Sequence, residues 1–62
     1  MDEVERMQEL VRRYGTIDAA KRELDELHTR YVRGEISWDQ LYCDGNEIAQ
    51  DISFWEWANQ YV

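Results

Sequence analysis

Two side chains in this sequence could act as nucleophile and base near neutral pH: Cys43 and His28, the only cysteine and the only histidine. A thiol becomes a good nucleophile when a neighbouring base takes its proton, so a Cys–His pair is the chemistry they could perform. Any two such residues in so short a chain permit that pairing. The simpler reading makes His28 a polar flank to Leu24, Leu27 and Tyr31, and Cys43 a half-buried small hydrophobe. Metal-ligand spacing of the HxxxH or CxxC kind does not occur. Asp44, Glu47 and Asp51 share a helical face but lack the alternating Asp/Asn loop of a calcium site. Nor does a glycine-rich phosphate loop occur. The expectation is a non-enzymatic chain with no catalytic residue, no metal and no cofactor.

Sixty-two residues make a single domain, 1–62, near the lower limit at which an apolar core suffices without a staple or a partner. One cysteine excludes an intramolecular disulfide framework and suits a reducing compartment, so a cytoplasmic setting is expected. The first residues (MDEVERM) are acidic and polar, unlike a signal or transit sequence. Apolar runs of two or three residues fall far short of the roughly 20 that cross a bilayer, so no membrane partner is expected. Charged residues make up 34% of the chain, yet aromatics are plentiful enough for it to fold.

The elements that must position these side chains read as helices. No proline occurs, and the three glycines fall at 15, 34 and 45, each after a segment of helical period. The first helix is expected at about 3–14, capped by Asp2 with Glu5 completing a capping box. Its apolar stripe is Val4, Met7, Val11 and Tyr14, with Leu10 beside it. The second is expected at about 17–33, capped by Thr16. Its seam of Ile17, Ala20, Leu24, Leu27 and Tyr31 suits antiparallel pairing with the first. A short helix at about 38–43 follows, with Ser37 and Gln40 as a capping box and Ile36 poised to staple onto Leu41. Asp44-Gly45 is read as its stop, unless the helix runs on at a cost of about 1 kcal/mol for an interior glycine. The last helix is expected at about 47–61. Ile48, Ile52, Phe54, Trp55, Ala58, Tyr61 and Val62 fall on one broad arc of it, and Trp57 points away. The fold class is therefore all-α, a small helical bundle whose last helix packs across an N-terminal hairpin.

Residues 24–42 (LDELHTRYVRGEISWDQLY) resemble the short helical module called SHOCT. Leu24, Leu27, Tyr31, Gly34, Ile36, Ser37 and Asp39 match its order of a leucine-bearing helix, a glycine, an aliphatic, a Ser/Thr and an acidic helix start. The likeness covers under a third of the chain. The family's second helix usually continues through a lysine to further leucines, whereas Asp44-Gly45 intervenes here. What the resemblance implies is an interaction or oligomerisation role.

Charge is unevenly placed. All seven cations lie in residues 1–34 beside eight carboxylates; residues 35–62 carry six carboxylates and no cation. In the first half, Asp2–Arg6, Glu9–Arg13, Asp18–Arg22 and Glu26–Arg30 have the acid-before-base spacing that stabilises a helix by roughly 0.2–0.5 kcal/mol per pair. Those cations are therefore expected to be engaged locally. With a net charge of −7, direct nucleic-acid binding is disfavoured. Solubility and helix N-termini account for part of the second half's acidity. The sharper expectation is a face aimed at a basic protein surface, with Trp38, Asp39, Asp44, Glu47, Asp51, Glu56 and Trp57 as its contacts. Tryptophan is enriched among binding hot spots, and complementary charge speeds encounter. A basic nucleic-acid-binding groove would be such a partner, covered by an acidic mimic of nucleic acid, by analogy with phage-encoded viral inhibitors. The alternative expectation is a homodimer or larger homo-oligomer in which the same aromatics bury against a copy of themselves.

Overall fold

The structure, a computed structural model, describes residues 2–61. They form three helices, α1 (Glu3–Tyr14), α2 (Ile17–Val32) and α3 (Trp38–Tyr61), packed as a small helical bundle. Each start is fixed by a side-chain acceptor for N–H groups that have no partner within the helix. The Asp2 carboxylate accepts from the backbone N–H of Val4 at 2.6 Å and of Glu5 at 3.1 Å. The Thr16 hydroxyl accepts from Ala19 at 3.1 Å, and Ser37 accepts from Gln40 at 3.2 Å. The Gln40 side chain donates onward to Asp44 at 2.9 Å and not back toward Ser37, so that capping box is only half made. Val62, expected on the apolar arc of the last helix, lies outside the described residues.

Two of the three glycines stop helices. Gly15 (φ 87) donates to the Val11 carbonyl at 2.8 Å and ends α1. Gly34 (φ 78) donates to the Tyr31 carbonyl at 3.0 Å, while Glu35 donates to that of Arg30 at 2.9 Å. Those two bonds form a Schellman motif, which needs a left-handed residue at the glycine position.

Gly45 does something else. The expected short helix and last helix are one, running unbroken through Asp44-Gly45-Asn46 for 24 residues, about 36 Å. Gly45 is buried, and a Cβ there would lie 3.4 Å from a Leu24 methyl and 3.8 Å from a Leu41 methyl. It marks where α3 passes close to α2. The four-segment expectation is corrected to three helices.

α3 lies across both other helices and presents a different face to each. Leu41, Gly45, Ile52 and Trp55 are buried on a strip that meets α2, where Ala20 is buried and Leu24 and Leu27 half-buried. A second strip, carrying Asp51, Phe54 and Ala58, meets α1. The pairing of α2 with α3 is the most extensive in the molecule and that of α1 with α2 the least. The α2 seam, expected against α1, is thus occupied mainly by α3. From α1 only Leu10 is fully withdrawn from water; Val4 and Val11 stay exposed and Met7 half-exposed. None of the described helices is long and apolar enough to cross a membrane.

Gly45→Ala should stabilise the fold. The added methyl meets the mobile end of Leu24 at ordinary contact distance, and glycine costs about 0.8–1 kcal/mol in a helix interior. A gain of that size raises Tm by roughly 4–8 °C in a domain this small, readable by circular dichroism. Gly45→Leu should reverse the sign, because its branches cannot share the space that Leu24 fills. A fall in Tm for the alanine variant would show that a glycine backbone is required there.

Candidate functional site

The seven side chains expected to form one acidic-aromatic face are distributed differently by the fold. Asp51 is not on the surface. Its side chain is 12% exposed, and it accepts a hydrogen bond from the Tyr14 hydroxyl at 2.9 Å. The Arg13 guanidinium lies 3.4 Å away and that of Arg6 3.9 Å. A buried carboxylate stays charged only where donors replace its water, and three converge here from α1. The same Arg13 holds Glu47 at 2.9 Å, and Lys21 from α2 reaches Glu56 at 3.4 Å. Half of the six carboxylates expected to lack counter-ions are therefore matched by cations of the first two helices.

The local ion pairs read from the sequence give way for the same reason. Arg13 leaves Glu9 for Glu47 and Asp51, and Glu9 pairs with Arg12 at 2.9 Å. Arg6 leaves Asp2, which caps α1, and lies over the Phe54 ring at 4.2 Å. Among the described residues, neither Asp18–Arg22 nor Glu26–Arg30 comes within 4 Å. A charge pair against a partly desolvated surface outweighs an exposed pair along one helix.

Burial, together with the bond to Asp51, pushes the Tyr14 hydroxyl above the ordinary tyrosine range. It therefore keeps its proton and remains a donor. The neighbouring Tyr14 oxygen and the Glu47 carboxylate shift the Arg13 guanidinium further toward its protonated form.

Trp38, Asp39 and Asp44 remain at the surface, in the first two turns of α3. Trp38 is 58% exposed and packs edge-on against Tyr31 of α2, ring centroids 5.8 Å apart, with Tyr42 at 6.3 Å on its other side. Asp39 and Asp44 have no cation within 4 Å among the described residues. Beside the rings runs a shallow apolar groove lined by Leu24, His28, Leu41, Gly45 and Ala49. His28 therefore borders an aromatic groove, and Cys43, exposed on α3, is not among the groove's lining residues. Trp57, 43% exposed, stacks between Phe54 at 5.9 Å and Tyr61 at 5.5 Å near the other end of α3. Nineteen residues separate the two indoles, about 28 Å along the helix, so they belong to different surfaces. Tyr31 and Tyr42, which adjoin Trp38, are not among the residues expected at the face. Tyr42 stands four residues after Trp38, the spacing of neighbours on one helix face. Tyr31 was assigned to the core seam, and nothing local marks it as exposed.

Comparison of the chain with protein-family models, with curated proteins and with solved structures found no match.

Removing the Asp51 charge should loosen α1. Asp51→Asn should cost about 1–3 kcal/mol, less than a fully buried pair because both arginines keep contact with water. Glu47→Gln, at an exposed pair, should cost at most about 1 kcal/mol. Chemical denaturation followed by circular dichroism separates the two. For Tyr14 the folded pKa lies above the unfolded one of about 10. Its contribution is complete below that value; as pH rises toward the folded pKa the unfolded chain loses its proton first, and stability falls. Tyr14→Phe should remove that part of the alkaline decline, measured as the difference between the two unfolding curves across this range.

Proposed function

We propose that this chain is a small non-enzymatic protein-binding regulator that docks through the Tyr31–Trp38–Tyr42 cluster onto a partner with a basic surface. The observation carrying the reading is the exposure of Trp38, an indole left 58% open to water although two aromatic neighbours already contact it. A large apolar ring held rigid at the surface loses little conformational freedom on binding, which is what makes tryptophan an effective anchor. Asp39 stands next to it at the start of α3, and the net charge of −7 gives the whole molecule an attractive field toward basic proteins. The chemistry that such a face fits is a basic groove of the kind that holds nucleic acid. Covering the groove would exclude DNA or RNA, which is how an acidic phage-type inhibitor would act. A cytoplasmic setting, suited to the lone thiol, belongs to the same proposal.

Glu47, Asp51 and Glu56 carry less of this reading than the other four residues expected at the partner surface, because hairpin cations already engage them. Trp57 supports a lesser, separate contact.

The test is retention of partners from a native lysate by the wild-type chain and by Trp38→Ala, each at low and high salt. One partner should be held at low salt, released at high salt, displaced by added nucleic acid, and weakened by about 30-fold or more in the variant. The variant should keep its helical circular dichroism, since Trp38 is a surface residue. Retention indifferent to both salt and Trp38 would overturn the proposal.

A further inference from the structure

α1 is amphipathic, but the bundle covers only one edge of its apolar stripe. Leu10 and Tyr14 turn toward α3, whereas Val4 and Val11 stay 60% and 49% exposed. With Met7 and Ala58 they line an open groove of about 530 Å³, bordered by Glu3 and Gln8. The accessible surface is 4752 Å², against about 4200 Å² for a compact monomer of 7.5 kDa. The elongated outline, 39 × 20 × 19 Å, contributes to the surplus, and so does the stripe.

We infer that this stripe is covered by α1 of a second copy, lying antiparallel about a two-fold axis that passes between Met7 and Gln8. A two-fold interface must be self-complementary, each residue meeting its counterpart's partner in return. Antiparallel pairing meets that condition, placing Val4 of each chain against Val11 of the other. Charge selects the orientation. Glu5 and Arg12 lie on the same flank of the stripe, on the side away from α3, with acid in the first turn of α1 and base in the last. Antiparallel pairing brings Glu5 of one copy beside Arg12 of the other, twice. Parallel pairing would carry the two copies of this flank to opposite sides of the interface, so neither Glu5 nor Arg12 would meet an opposite charge on its counterpart's flank. Arg12 is free to reach across, because its bond to Glu9 is an exposed pair on one helix. The surface is distinct from the Trp38 cluster, so the dimer leaves that face open.

Sedimentation equilibrium of the full chain tests this directly, with a concentration-dependent dimer expected at micromolar concentration. Val11→Glu should raise Kd at least about tenfold with helicity intact, since the position is exposed. Glu5→Lys and Arg12→Glu should each weaken the dimer and together restore it, the signature of a direct cross-copy pair. As an independent check, Gln8→Cys in a Cys43→Ser background places two thiols beside the two-fold axis and should cross-link on mild oxidation. Trp38→Ala should leave self-association unchanged, which separates this outcome from the docking proposal. A strict monomer at several hundred micromolar would overturn the inference. So would a dimer indifferent to Val11 and to the charge exchange.

Discussion

The carboxylate of Asp51 is the point on which the position of α1 depends. It sits on the face of α3 that looks at α1, withdrawn from water, and its three donors, Arg6, Arg13 and Tyr14, all come from that helix. Desolvating a charge is unfavourable, so the arrangement is tolerable only when the donors converge. That makes it a device for register more than for raw stability. A slide of α1 by one turn, about 5.4 Å, would strand the carboxylate without its tyrosine and with a guanidinium out of reach. An apolar contact would resist such a slide far less, because dispersion and area burial are nearly indifferent to which methyl meets which. Leu10, the one α1 side chain fully buried, supplies adhesion; Asp51 supplies the address.

The rest of the molecule follows from how little apolar material a 62-residue chain can bury. α3 takes most of it. By presenting one strip to α2 and another to α1, it serves as the core for both, and the α1–α2 pairing is left slight. Close approach of α2 and α3 at Gly45 deepens the main seam, at the cost of a glycine inside a helix. A residue with no partner strip remaining must stay outside. That is the position of Trp38 and Tyr42 at one end of α3, of Trp57 and Tyr61 at the other, and of Val4 and Val11 on α1.

Helix starts and two of the three stops were legible because they are settled within a few residues. Asp2, Thr16 and Ser37 accept from N–H groups two or three positions on, and Gly15 and Gly34 adopt the backbone that only glycine takes easily. Gly45 misled because Asp-Gly after an apolar segment looks the same whether the chain turns there or another helix passes close by. Deciding between them needs the position of Leu24, twenty-one residues earlier. Placing Asp44, Glu47 and Asp51 on one helical face was sound geometry, but the sequence does not say what that face looks at. It looks at α1, and Arg13, with a nearer acid available, reaches 34 and 38 residues along the chain instead. Local spacing lists the partners a charge could have. Desolvation chooses among them, and desolvation is a property of the assembled bundle.

That choice also redistributes the exposed charge. Read along the chain, the negative charge fills the whole second half and leads toward Trp57. Read in space, Arg6, Arg13 and Lys21 are drawn onto Asp51, Glu47 and Glu56, so the flank where α1 and α2 meet the middle and end of α3 is largely compensated. Seven cations cannot neutralise fourteen carboxylates, and three of them, Arg6, Arg13 and Lys21, are drawn onto α3. Along α3 the unpaired charge then falls on Asp39, beside the more exposed indole, and on Asp44, which lines a separate hollow with Arg13 and Arg30. The same pairing that fixes α1 in register thus leaves Asp39 as the unpaired α3 carboxylate next to the Trp38 cluster. An acidic aromatic face at Trp38 is accordingly a consequence of how the interior is held together.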